Sequence, residues 1–264
     1  MTAYISRPKI PAPILLLLTI FSSGICASTA FAQETQNGNL QVSGGIAMPA
    51  TSSAVFTNPA GLLGASTAVV LQAAAPDFWD NGTYRAGMQT GGASYGAAGG
   101  IEDRDLGNND PLYGYYGLAV GTQAFSLGLA GRTGVVNSSG TTLNAGTLFS
   151  VGSSAKIGIT ARDINNGVSE WGAGVAFGVG QGVDLVFDSA ADENLKNIEV
   201  KPGIKVGSQQ AALTISYGTG AREEFADGFT AGASFQFASK TILEIQYNAG
   251  GDLSKYYASL TFGL

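Results

Sequence analysis

From Ser66 to Leu264 the chain repeats one pattern: roughly ten residues alternate apolar with small or polar, followed by a turn that is by turns very short and longer. In the last copy Tyr256, Ala258, Leu260, Phe262 and Leu264 fall on one face, and Tyr257, Ser259, Thr261 and Gly263 on the other. Side chains of a strand alternate sides, so each copy reads as a strand with one apolar and one polar face. The pattern predicts strands at 66–75, 83–89, 93–102, 112–121, 125–135, 141–151 and 156–164, and again at 170–179, 183–190, 198–206, 211–217, 228–237, 241–247 and 255–264. That is an even set of fourteen, as single-chain bacterial barrels require. The fold class that follows is all-β, a fourteen-stranded antiparallel transmembrane β-barrel.

The connectors alternate in the same sense. Joins near Thr122, at 152–154, at 180–181, at 207–209 and at 238–240 are tight, whereas those at 76–82, 103–111, 137–140, 165–169, 191–197, 219–227 and 248–254 are longer and more polar. Short turns belong on the periplasmic side of a bacterial outer membrane and longer loops outside, which puts both termini in the periplasm. Tyr84, Tyr115, Tyr116, Trp171, Tyr217, Tyr247, Tyr256 and Tyr257 lie near the loop ends, and Phe125, Phe149, Phe177, Phe235, Phe237 and Phe262 near the tight-turn ends. This sorting predicts two girdles, the polar-tipped rings at one interface and the plain ones at the other.

Ahead of the repeats stand two segments of different character. Residues 1–32 read as a cleaved signal peptide: Arg7 and Lys9, an apolar run from Ile14 to Phe21, and Ala30-Phe31-Ala32 before Gln33. The lone Cys26 raises a lipoprotein alternative, but Ile25 stands where lipoprotein signals want a small residue. Residues 33–65 lack alternation and are small, polar or turn-forming, so the domain reading is signal peptide 1–32, a separate segment 33–65 and barrel 66–264.

With apolar positions outward, the alternate positions line the lumen. The predicted lumen-lining residues are Arg85, Arg132, Lys156, Arg162, Glu170, Asp184, Asp188, Glu199, Lys201, Lys205 and Glu244, with Gln89, Asn144 and Gln246 among them. A Lys or Arg facing lipid at the midplane costs about 2–4 kcal/mol, which fixes this phase against its opposite. The two signs are similar in number, so a wall-stiffening ladder of ion pairs competes with a filter for polar solutes, and the balance favours the ladder. Gly128, Gly158, Gly172, Gly174 and Gly178 face inward as well. Missing side chains leave room for another backbone, and residues 33–65 are the candidate plug. The competing reading is that these glycines ease curvature of the wall.

Composition narrows the chemistry. Without Arg7 and Lys9 the chain has 11 basic and 19 acidic residues, a net charge of −8 (11 − 19), which argues against nucleic-acid binding. It has no histidine, so the hydrolase and acyl-transfer mechanisms that need an imidazole base are excluded; no enzyme activity and no cofactor is expected. Asp103, Asp105, Asn108, Asn109 and Asp110 offer oxygens in one loop, but their spacing is not that of an EF-hand, and a solvated loop with no metal is the stronger reading.

The run Ala54-Val55-Phe56-Thr57-Asn58-Pro59-Ala60-Gly61-Leu62 ahead of fourteen strands resembles the long-chain fatty-acid (FadL/TodX-type) transporters of the outer membrane, of which this chain would be a short member. The resemblance implies an N-terminal hatch in the lumen shaped by the plug motif Asn58, Pro59, Ala60 and Gly61. It also implies passive uptake of small hydrophobic compounds, released sideways into the membrane through a gap in the wall. Implied partners are outer-membrane lipid, small hydrophobic molecules and the barrel-insertion machinery. The chain lacks the long external loops with which that family first captures a fatty acid. A diffusion porin for small polar solutes and a closed structural or partner-binding barrel remain as alternatives.

Overall fold

The computed structural model describes residues 45–50, 52–75, 82–104, 111–208, 210–220, 228–238, 240–249 and 256–264. The signal peptide and the first residues of the segment 33–65 lie outside them. So do Asp105, Asn108, Asn109 and Asp110 of the candidate Ca²⁺ loop.

Fourteen strands form one closed sheet: β1 Ala68–Ala75, β2 Thr83–Gly91, β3 Tyr95–Arg104, β4 Leu112–Gly121, β5 Phe125–Val136, β6 Thr141–Val151, β7 Ala155–Arg162, β8 Glu170–Gly180, β9 Val183–Asp192, β10 Glu199–Gly207, β11 Ala211–Gly220, β12 Gly228–Ala238, β13 Thr241–Ala249 and β14 Tyr256–Gly263. Each strand pairs antiparallel with its sequence neighbours, and β1 pairs with β14 to close the barrel. Closure removes both sheet edges, so the backbone can satisfy its hydrogen bonds without water. Every predicted strand is present. The ends shift by a few residues because pairing, which sequence alternation does not report, decides where a strand stops.

Burial follows the predicted phase. Outward residues such as Leu118, Val120, Ile159 and Phe187 are exposed apolar side chains, while their neighbours in sequence turn inward. The girdle needs one correction. Tyr116, Trp171, Tyr217 and Tyr247 are outward and exposed, but Tyr115 and Tyr257 are buried inside. Adjacent residues of a strand face opposite ways, so of Tyr115-Tyr116 and Tyr256-Tyr257 only one member each can stand on the rim. The phenylalanines of the tight-turn end all face out, and Phe125 and Phe149 pack together with ring centroids 4.8 Å apart.

One ladder is interrupted. β10 and β11 pair through Val200 and Thr219, and the ladder resumes at Gly203 and Ser216, so the pairing skips a step at Pro202, which pairs with Phe187 of β9 on its other side. Pro202 has no N–H to give a neighbouring strand, which is why proline is rare inside a sheet.

Inside the barrel, α1 (Ala54–Thr57) and a 3₁₀ turn (Pro59–Leu62) cross the lumen. Ala54, Val55, Phe56 and Leu62 form the core of the molecule with Ala74, Tyr115, Ala119, Ala130 and Tyr257 of the wall. The predicted plug thus supplies much of the apolar interior.

Candidate functional site: the lumen and its plug

The plug is shaped by its own sequence. Asn58 caps the 3₁₀ turn by accepting the Ala60 N–H on its side-chain oxygen at 3.2 Å, and Pro59 starts the turn where no N–H is needed. The side-chain amide of Asn58 donates to the carbonyls of Ile46 at 2.8 Å and of Thr147, on β6, at 3.0 Å. One fully buried side chain therefore folds the turn, ties it to the preceding segment and docks it on the wall.

Glycines make the docking possible. A Cβ at Gly96 would meet the backbone of Leu62, at Gly117 the side chains of Val55 and Leu62, and at Gly128 the backbone of Pro59 and Ala60. At Gly146 it would meet Asn58, and at Gly158 and Gly174 the Ile46–Ala47 stretch. Six consecutive strands, β3 to β8, thus present bare backbone to the plug. Of the glycines flagged from sequence, Gly128, Gly158 and Gly174 seat it directly and Gly172 lies near the Ile46 side chain. Gly178 instead borders the open part of the lumen.

Polar wall residues complete the seat. The Asp188 carboxylate on β9 accepts the Ile46 N–H, Ser126 donates to the Ala60 carbonyl at 3.2 Å, and Gln72 donates to the Ser52 carbonyl at 2.8 Å. Ser52 donates in turn to Glu244. Such hydrogen bonds are worth about 0.5–1.5 kcal/mol net each when neutral and more when charged.

Toward the loop end the lumen is filled by a buried charge network. Glu102 lies between Arg85 and Arg104, each at 2.6 Å, with Arg132 at 3.4 Å. Arg162 pairs with Glu170 at 3.0 Å across β7 and β8, and Lys201 with Glu199 at 2.7 Å along β10. Two of these arginines hold the plug: the Arg85 guanidinium stacks 3.5 Å above the Phe56 ring centroid, and Arg162 donates to the Phe56 carbonyl at 3.2 Å. Tyr115 meets the same ring edge-on, with centroids 4.9 Å apart. Charges sealed this way stay in place because removing one partner leaves the other buried and uncompensated.

Toward the tight-turn end lies a cavity of about 1200 Å³, roofed by Ala47, Met48, Pro49, Ala60 and Gly61 of the plug. Lys156, Asp184, Lys205 and Glu244 line it together with Ser126, Ser150, Thr214 and Ser234. Asp184 and Lys205 stand opposite each other across β9 and β10. Among the described residues no ion pair joins Lys156, Asp184 or Lys205 to another charge.

The predicted lumen residues therefore divide into two groups. Arg85, Arg132, Arg162, Glu170, Asp188, Glu199 and Lys201 lie in the packed part of the lumen, and Lys156, Asp184, Lys205 and Glu244 in the open cavity. Sequence reasoning missed the hub, Glu102, and its partner Arg104. The third strand was predicted to end at 102, whereas β3 runs two residues further and its alternation carries Arg104 inward; Arg104 and Glu102 are both fully buried.

No family model matches the chain, and no curated protein matches it in sequence. Among solved structures it is similar to the CymD monoaromatic hydrocarbon channel, at 11% identity, covering 94% of this chain and 99% of that chain with a TM-score of 0.57. A variant of the Rh. blastica porin (8% identity, 75% of this chain and 99% of that one) and a bacterial polysaccharide outer membrane secretin (9%, 75% and 98%) match with TM-scores of 0.48 and 0.49. The first likeness is one of fold, a closed antiparallel β-barrel.

Proposed function

We propose that this chain is a bacterial outer-membrane channel for passive uptake of small hydrophobic compounds, with the segment before β1 as its hatch and both termini in the periplasm. The observation that carries this reading is the plug itself: it crosses the lumen on a seat of wall glycines, is held by separable hydrogen bonds, and stands above a cavity large enough for a small solute. A barrel that only needed filling could use side chains of its own wall.

Hydrophobic cargo is supported by the interrupted ladder. Pro202 pairs with Phe187 of β9, next to the Asp188 that holds the Ile46 amide, so the interrupted step between β10 and β11 lies one strand away from the plug's anchor. A compound reaching that level would have a short way sideways into lipid. The FadL-type resemblance of the Asn58–Gly61 turn and the hydrocarbon named for the CymD structure fit the same cargo. Outer-membrane lipid and the barrel-insertion machinery are the partners this reading requires.

One observation favours a second reading, a porin for small polar solutes: Lys156, Asp184 and Lys205 face the cavity. Purified protein in liposomes separates the possibilities. Faster uptake of a hydrophobic fluorophore with low sugar flux is the expected result. Fast sugar flux would establish the porin, and no flux of either kind a closed barrel.

A further inference from the structure

We propose that the outer wall carries a site for one acyl chain of a membrane lipid, laid across the seam where the first strand meets the last. From β11 through β14 and β1 to β2 the outward face is hollowed into an apolar groove of about 530 Å³, and no charged side chain lines it. The register explains the hollow. Ala73, Ala258, Ile245 and Ala233 follow one another across β1, β14, β13 and β12 as direct cross-strand partners, and Ala75, Tyr256, Tyr247 and Ala231 do the same one step nearer the loops. One step further from the loops the same strands carry Leu71, Leu260, Leu243 and Phe235. Alanines are thus set between a ridge of large apolar side chains and the tyrosines of the loop-end rim. Leu213 and Tyr84, the next partners in the alanine row, close its two ends.

The occupant follows from place and chemistry. In a barrel that spans a membrane this face is immersed in hydrocarbon, and the lining is carbon up to the loop end, where the side chains of Tyr84, Tyr247 and Tyr256 stand. The Tyr84 hydroxyl reaches back to the level of Gly82, beyond the first residue of β2. Such a lining suits an apolar tail that ends in a hydrogen-bond acceptor, which describes an acyl chain with its ester or amide carbonyl. A second copy of the barrel suits it less well, because a two-fold axis through this face sets hollow against hollow. The groove also lies in the size range of sites that enclose a small organic ligand. Its position gives the lipid a task. Ala74 and Tyr257, the inward neighbours of Ala73 and Ala258, belong to the core that packs Val55 and Phe56 of the plug. A chain lying outside β1 and β14 therefore braces the seam behind the plug's contacts. The proposal rests on the barrel spanning a membrane and not on which solute its lumen passes.

The test weighs the full chain, intact and in detergent micelles, by native mass spectrometry with dipalmitoyl phosphatidylethanolamine as the probe. One lipid retained per barrel is expected. Ala73→Phe with Ala258→Phe fills the floor from two paired strands and is expected to weaken retention about tenfold. Ala233→Leu, away from the seam, is a second filling variant should the pair disturb closure. Leu118→Phe with Val120→Phe, equally outward on β4, is expected to retain the lipid as the wild type does. Retention unaffected by both filling variants, or weakened as much by the β4 variant, overturns the site. The diether form of the same lipid, which has no carbonyls, is expected to be held less tightly by the wild type, and Tyr84→Phe with Tyr256→Phe to hold the two forms alike. Equal retention of the two forms by the wild type overturns the hydroxyl contact. A wild type that runs as a dimer while the filled variants run as monomers makes this face an interface between copies and overturns the lipid site.

Discussion

The two oxygens of Asp188, on β9, face the backbone N–H of Ile46 at 3.2 and 3.1 Å, so one wall carboxylate holds the start of the described plug by its main chain. Asp188→Ala leaves that buried N–H without its acceptor, a loss of about 1–3 kcal/mol. The barrel itself gains its stability from its strand ladders, so heat-induced unfolding on gels is expected to change little, while leak conductance in planar bilayers rises. Unchanged conductance would remove Asp188 from the seat.

Gly146 and Gly178 make a matched pair. Both face inward, but a Cβ at Gly146 would run into the Asn58 side chain, whereas at Gly178 the nearest atom, Asp184 Oδ1, is 3.5 Å away. Valine suits a strand at either place. Gly146→Val is expected to insert normally and to admit sucrose into liposomes several-fold faster than the wild type, and Gly178→Val to behave as the wild type. Equal sucrose flux through both would mean that the seat does not depend on bare backbone.

Glu102 is the common partner of Arg85, Arg104 and Arg132. Glu102→Leu leaves three guanidinium groups confronting one another in a buried site, and breaking a buried pair costs about 3–5 kcal/mol. A lower urea midpoint for unfolding is expected, with a smaller fall for Glu102→Gln, which keeps an acceptor oxygen. A midpoint equal to that of the wild type would show the network to be dispensable.

Pro202→Val restores an N–H at the interrupted step between β10 and β11. With the ladder completed, the wall tightens beside the plug's anchor. Slower release of a hydrophobic fluorophore into the bilayer is expected at unchanged ionic conductance. Equal release rates for the two proteins would locate the exit elsewhere.

Strand number, phase and the inward set of charges were legible because one face of each strand is apolar over its whole length, and a one-residue slip would turn every charge toward lipid. What the charges do was not legible. Arg85 and Lys156 both face inward, yet the first, near the loop end, is clamped between Glu102 and Phe56, and the second, near the tight-turn end, borders an open cavity. The difference comes from the path of the plug, which is a non-local fact. The same holds for Gly96, Gly117 and Gly146, whose sequence context marks them only as loose strand positions. Tyr115 and Tyr257 were misassigned to the rim because distance from a loop fixes depth in the membrane but not the side of the wall.

The seat of the segment inside the barrel also bears on the order of events in the making of the molecule. Residues 45–65 are synthesised before any strand, but the surface that receives them is spread from Gln72 on β1 to Glu244 on β13 of the later chain. No part of that surface exists until neighbouring strands have joined, and contacts between distant parts of a chain form late. The first-made segment of the barrel is therefore the last to find its place. Until then the half-built wall stands unstoppered, and its glycine-lined interior must be kept from other chains for as long as assembly takes.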